Sequence, residues 1–345
     1  MNPFALTMFI LSLAIGTTIT LSSHHWLLAW VGLEINTLAL IPIMTKNPHP
    51  RTIEAATKYF LTQATASALV LFSTLSNAWQ TGEWSTTFIS GPPAIALAIA
   101  LMTKLGLAPM HFWMPEVLQG IPLPSGLILS TWQKIAPMAL LLQTSHLINL
   151  ELVITIGLIS TLIGGWGGIN QTQLRKIMAF SSIAHLGWMI IIIKLNPQLT
   201  LLNFILYLTM TMAMFMTLLT TNTTTMLELP KTYTKIPTLT PIVMLTLLSL
   251  AGLPPLTGFT PKLLITLELV KQNVTTLAAL MMLMSLLALF FYLRLTYILT
   301  LTMSPNTSNS PSVWYQMTKI NPLTAPANTI ALLIFPMSPT LLLMM

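Results

Sequence analysis

Apolar residues in this chain come in long unbroken runs, and the polar residues collect in short links between them. A helix needs about 20 apolar residues to cross a hydrocarbon core roughly 30 Å thick. Eleven stretches reach that length: 3–22, 25–45, 57–78, 93–115, 124–145, 149–168, 174–194, 199–221, 238–271, 274–300 and 323–344. A membrane strand uses only about ten residues and alternates in polarity. The runs therefore predict helices, in which every backbone group finds its partner inside the segment. The expected fold is an all-α membrane protein, a single transmembrane domain over 1–345 with about eleven crossings.

Two runs carry the same interruption. The fourth contains Gly106-Leu107-Ala108-Pro109 and then Pro115-Glu116, and the ninth contains Gly252-Leu253-Pro254-Pro255 and then Pro261-Lys262. Both read Gly-Leu-x-Pro, five residues, Pro, charge. Proline removes a donor and clashes with the preceding turn, so both segments are expected to break within the membrane. Length agrees, because 238–271 as one helix would extend about 51 Å. Bare backbone is tolerated at membrane depth only against protein or a wet cavity. The two segments lie five crossings apart and so run in opposite directions, which predicts an inverted repeat: 1–145, then 149–300, with 301–345 as linker and final helix. Paired broken helices in corresponding halves point to a transport site. Two unrelated proline kinks are the plainer alternative, and the shared spacing argues against them.

Composition sharpens the picture. Charged residues make up 6% of the chain and hydrophobic residues 54%, against about a quarter charged in a soluble domain. The net charge of +7 is dispersed, which excludes the basic face of a nucleic-acid binder. Links after even-numbered runs hold Lys46, Arg51, Lys58, Arg175, Lys176, Lys231, Lys235 and Lys319; links after odd-numbered runs hold Lys194 and Lys271. Cations stay on the side of insertion, so the N-terminus is expected there. With no cysteine the chain holds no disulfide and no cysteine-ligated cluster. The six histidines lack ligand spacing, and no metal is expected. Met1-Asn2-Pro3-Phe4 leads straight into an apolar run without a basic leader, so the first run is expected to stay. A mitochondrial location would then require synthesis inside the organelle; 23 methionines and the lack of Asp fit that.

Four ionisable residues fall near the middle of runs or at the breaks: Glu34, Lys104, Lys134 and Lys262. Each costs roughly 2.5–3.5 kcal/mol to insert and is expected to face the interior and to work. A lysine in a low-dielectric site can accept and release protons. Glu34 near Lys104 would hold that lysine charged, and moving the carboxylate would release the proton; a static ion pair fixing two helices is the alternative. Pro137 should free the carbonyl of Gln133 beside Lys134. Ser181, Ser182 and His185 in the seventh run can extend a hydrogen-bonded chain, although His185 is equally well read as a core histidine. The glycines around Trp166 predict close helix packing rather than a phosphate loop.

Moving one charge against 100 mV costs about 2.3 kcal/mol, and no nucleotide or cofactor motif here supplies it. The segments Trp30-Val31-Gly32-Leu33-Glu34, Glu54 to Phe60, Lys104 to Pro109 with His111-Phe112-Trp113, Trp132-Gln133-Lys134, Arg175 to Ala179 with Ser181 to His185, and Gly252 to Phe259 resemble the mitochondrially encoded chain 2 family of NADH-ubiquinone oxidoreductase. These are antiporter-like, proton-pumping subunits of respiratory complex I. The resemblance covers nearly the whole chain and weakens after about residue 300. It implies an antiporter-like bundle in the mitochondrial inner membrane with the N-terminus on the matrix side. The drive would come from quinone reduction in partner subunits that hold NADH, FMN, iron-sulfur clusters and ubiquinone, with no cofactor in this chain. Neighbours would be other membrane-arm subunits, antiporter-like ones included, and lipid. The family's proton-handling residues map onto Glu34, Lys104, Lys134 and Lys262. The chain departs from the fourteen-helix bacterial pattern by starting three crossings late. A self-contained cation/proton antiporter and an ion-inactive scaffold are the competing readings.

Overall fold

The computed structural model describes residues 2–86, 88–232, 238–301, 322–337 and 340. Lys235, Lys319 and most of the final expected run beyond 337 lie outside the described residues. Among those described the chain is helical, with only isolated bridges joining His25 to Ser85 and Gln173 to Thr225. The order is α1 Pro3–Ser22, α2 Trp26–Met44, α3 Pro50–Thr81, α4 Pro92–Leu105, α5 Trp113–Gly120, α6 Leu123–Ser130, α7 Ile135–Gln143, α8 Leu150–Ile169, α9 Leu174–Ile192, α10 Pro197–Thr221, α11 Leu239–Ala251, α12 Phe259–Lys271, α13 Thr275–Leu301 and α14 Thr324–Leu333. Among the described residues α1, α2, α8, α9, α10 and α13 are long and apolar enough to cross a membrane as single elements.

Proline opens α1, α3 and α4, where its missing N–H costs nothing and its fixed φ suits the first turn. Within the helices, hydroxyls such as those of Thr17, Thr20, Ser73, Thr246 and Ser249 donate to the carbonyl three residues back. Polar side chains are thus satisfied by their own helix, a requirement where no water is at hand.

The chain divides into two compact units, Met1–Ser160 with Ile193–Pro197 and Thr161–Ile192 with Gln198–Met345. In the first unit α1 packs on α2, α2 on α3, α3 on α4 and α5, and α4 on α7. The α1–α2 seam is close because Gly16 faces Gly32: a Cβ on Gly32 would stand 2.6 Å from the Thr20 side chain and 2.9 Å from the Gly16 carbonyl. In the second unit α11 packs on α13 and α14, and α9 meets both α12 and α13. Gly164 of α8 has the packing role expected of it, since a Cβ there would come within 2.6 Å of the Ala184 backbone nitrogen on α9.

Both expected breaks are present and are built alike. Gly106 (φ +81°) and Gly252 (φ +79°) end α4 and α11 in the left-handed conformation, which glycine adopts without the penalty a Cβ brings. Leu107 N–H returns to the Met102 carbonyl at 3.1 Å and Leu253 N–H to the Leu248 carbonyl at 3.3 Å, the six-to-one bond of a Schellman end. The peptide bonds before Pro109 and Pro255 are both cis.

Two runs differ from expectation. The fifth, expected as one helix over 124–145, is divided into α6 and α7 by a 3-10 turn at Trp132–Lys134. Pro137 cannot donate to the Gln133 carbonyl and crowds it, so the helix tightens one turn upstream. The third, expected over 57–78, extends to a helix of 32 residues, opened by Pro50 in its first turn and capped by the His49 ring, which accepts the Arg51 N–H at 3.2 Å.

In the second unit, the link after α10 is closed by Glu228. Its carboxylate accepts the Thr224 N–H at 2.7 Å, the Thr225 N–H at 3.2 Å and the Thr224 hydroxyl at 3.1 Å. These donors, the Thr224 amide first, hold its carboxyl below the usual carboxylate range. A depressed carboxyl contributes stability above its unfolded pKa and loses it as pH falls through the folded one. Glu228→Gln should therefore lower stability by about 1–2 kcal/mol at neutral pH and flatten the acid limb of the melting-temperature profile in detergent. An unchanged profile would exclude this role.

Candidate functional site

In the first unit, Lys104 ends in the last turn of α4, directly before the break. The final carbonyls of a helix carry partial negative charge and favour a cation there. Lys104 is 6% exposed, and among the described residues its Nζ has no hydrogen-bond partner. The indole of Trp113, from the first turn of α5, donates to the Thr103 carbonyl at 3.2 Å, so the helix after the break closes the end of the helix before it. Lys134, 3% exposed, sits on the 3-10 turn between α6 and α7. Its neighbour Gln133 donates Nε2 to the backbone carbonyl of Asn36 at 3.0 Å, tying that turn to α2.

Lys104 and Lys134 line one cavity, together with Asn36, Tyr59, Gln63 and Gln133. Its volume open to the centre of a water molecule is about 20 Å³, above the roughly 10–15 Å³ that one water requires. Both carboxamide atoms of Asn36 are without a partner, so the walls offer several groups that water would satisfy.

Glu34, on α2, is partly buried and makes no ion pair with Lys104. The Thr37 hydroxyl donates to its Oε2 at 3.0 Å instead. The static pair that sequence left open is not formed. Glu116 serves a different end, meeting Lys58 at 2.7 Å on an exposed face.

The second unit has its own cluster. Lys262, in the first turn of α12, reaches back across the second break and donates to the Ala251 carbonyl at 2.6 Å, at the end of α11. It shares two small cavities with His185 of α9, each with about 10 Å³ open to water centres. Ser285 and Tyr292 line one; Asn203 and Tyr207 line the other. The rings of His185 and Tyr207 are 5.8 Å apart, and the hydroxyls of Ser181 and Tyr292 are hydrogen-bonded. The structure thus brings Lys104 to Lys134 and Lys262 to His185.

The family model for the transmembrane region of NADH:quinone oxidoreductases and Mrp antiporters matches residues 23–288, and that for the C-terminus of NADH dehydrogenase subunit 2 matches 289–342. The NADH-ubiquinone oxidoreductase chain 2 of Aquarana catesbeiana is 71% identical over 344 residues, covering 100% of both chains. The chain belongs to this family. Among solved structures, a chain of the respiratory complex I of Thermus thermophilus with bound aureothin is similar, with a TM-score of 0.83, 28% identity, and coverage of 97% of this chain and 80% of that one. A chain of the Mrp complex from Dietzia sp. has the same fold, with a TM-score of 0.83 at 17% identity, covering 97% and 75%.

Several residues escaped the sequence reading. Asn36, Gln63 and Asn203 are carboxamides inside apolar runs, a weaker signal than a charge but a legible one. Arg294 was legible too, as a cation within the run 274–300; its Nη1 donates to the Ile169 carbonyl at the end of α8 at 2.7 Å, a helix-capping contact. His111, buried in the first break, contacts the Pro109 carbonyl through Nδ1 at 3.2 Å.

Gly252→Ala tests the second cluster, because the added Cβ would stand 2.8 Å from Lys262 Cε and Nζ. The left-handed backbone should cost about 1–2 kcal/mol, read as a lower melting temperature. A cryo-EM map should show Nζ displaced from the Ala251 carbonyl; an undisturbed contact would contradict the geometry.

Proposed function

We propose that the chain is a proton-translocating membrane-arm subunit of NADH:ubiquinone oxidoreductase, with Glu34, Lys104, Lys134, His185 and Lys262 as its proton-handling groups. The observation that carries this reading is the pair of deeply buried lysines, Lys104 and Lys134, lining one cavity beside a broken helix.

In this reading the Glu34 carboxylate leaves the Thr37 hydroxyl and approaches Lys104, so that its charge holds a proton on Nζ. Withdrawal toward Thr37 removes that support, and the buried ammonium gives its proton through the cavity toward Lys134 Nζ. In the second unit the Ala251 carbonyl holds the Lys262 ammonium in place, and His185 is the exchange partner across the shared cavities. The halves 1–145 and 149–300 are inverted repeats, with 301–345 as linker and final helix. The chain lies in the mitochondrial inner membrane with its N-terminus in the matrix. Its neighbours are other membrane-arm subunits, antiporter-like ones among them, and lipid. NADH, FMN, the iron-sulfur clusters and ubiquinone belong to partner subunits, whose redox chemistry drives the movement.

Lys134→Met in the assembled complex should lower proton pumping several-fold while assembly, read on a native gel, stays intact. An unchanged proton-to-electron ratio would overturn the assignment. The fold shared with an Mrp complex chain keeps one competing reading, a self-contained cation/proton antiporter. The purified chain in liposomes should show no proton flux driven by a cation gradient; such a flux would favour the antiporter.

A further inference from the structure

Asn36 is a polar residue of the first cavity whose hydrogen-bonding groups are left open. It is 2% exposed, inside an apolar helix, and among the described residues neither its Oδ1 nor its Nδ2 has a hydrogen-bond partner. A buried carboxamide left without partners is destabilising, and an aliphatic side chain would avoid that cost. The fold instead accommodates it closely: a Cβ on Gly16 of α1 would lie 2.9 Å from the Asn36 Cγ. The cavity it lines is also lined by Lys104, whose Nζ is unpartnered among the described residues, and is large enough for water. Its backbone carbonyl accepts Gln133 Nε2 from the turn that carries Lys134. Asn36 therefore stands at the junction of the helix bearing Glu34 and the turn bearing Lys134.

The second unit repeats the arrangement. Asn203 is 1% exposed, has both carboxamide atoms unpartnered, and lines the cavity shared by His185 and Lys262. Asn328 differs in part: its Oδ1 is also unpartnered among the described residues, but its Nδ2 donates to the Thr324 carbonyl at 2.8 Å and it lines neither cavity.

We propose that Asn36 is a positioning residue that holds bridging water between Lys104 and Lys134, with Asn203 doing the same between His185 and Lys262. A carboxamide suits the task because it both donates and accepts without ionising, so it orders water in either direction of proton passage and adds no charge that would trap a proton. The proposal rests on the relay reading above.

The test compares Asn36→Val with Asn36→Thr in the assembled complex, two side chains of nearly equal shape of which only one carries a hydroxyl. Asn36→Val should lower proton pumping per assembled complex about five-fold or more and reduce the proton-to-electron ratio, and Asn36→Thr should retain at least half of the parent rate. Equal losses would mean that shape alone matters and would overturn the proposal, as would a Val variant that pumps normally. A second measurement does not depend on any variant: a high-resolution cryo-EM map of the native complex should place water within hydrogen-bond distance of both the Asn36 side chain and Lys104 Nζ, and a dry cavity would overturn the proposal. If Lys134→Met abolishes pumping while Asn36→Val does not, the relay stands and only the role of Asn36 falls.

Discussion

Every backbone carbonyl in a bilayer must find a donor, and this one requirement explains most of what the structure does at its interrupted helices. A continuous helix meets it internally. Where α4 and α11 stop short, their last carbonyls are left bare, and the chain answers with turn bonds from Leu107 and Leu253, the Trp113 indole and the Lys262 ammonium. The same logic places Arg294 on the end of α8 and Lys194 on the Ile148 carbonyl. Cations in this protein gather at the ends of helices because that is where unpaired acceptors and the negative ends of the helix dipoles coincide. A buried ammonium and a broken helix are therefore two halves of one solution.

This coupling also decides how much could be read in advance. Long apolar runs and prolines act locally, so the helical character and both breaks were legible, while the left-handed glycines that open them came with the structure. Buried charge is rare enough in apolar sequence that Glu34, Lys104, Lys134 and Lys262 stood out. The division of the fifth run was half legible: the liberated Gln133 carbonyl follows from Pro137, whereas the 3-10 turn that answers it depends on how Trp132–Lys134 settles among its neighbours. Partners of the charges were not legible at all. No spacing shows that Glu34 leans on Thr37 rather than Lys104, or that Lys262 reaches backward over eleven residues to a carbonyl.

The carboxamides illustrate a different limit. Asn36 and Asn203 sit in runs that are apolar on average, and a single neutral amide hardly changes the average that marks a helix as membrane-spanning. Only the shared cavities with Lys104, Lys134 and Lys262, and a second unpartnered carboxamide atom, distinguish them from Asn328, whose Nδ2 donates along its own helix.

One contrast between the two breaks reaches further. Glu116 and Lys262 occupy the same place in the repeated Gly-Leu-x-Pro motif, yet one turns outward to Lys58 and the other folds inward onto its own broken helix. One motif thus serves two ends: with an acid after its second proline it ties its helix to a neighbour at an exposed face, and with a base there it mends its own broken helix from within.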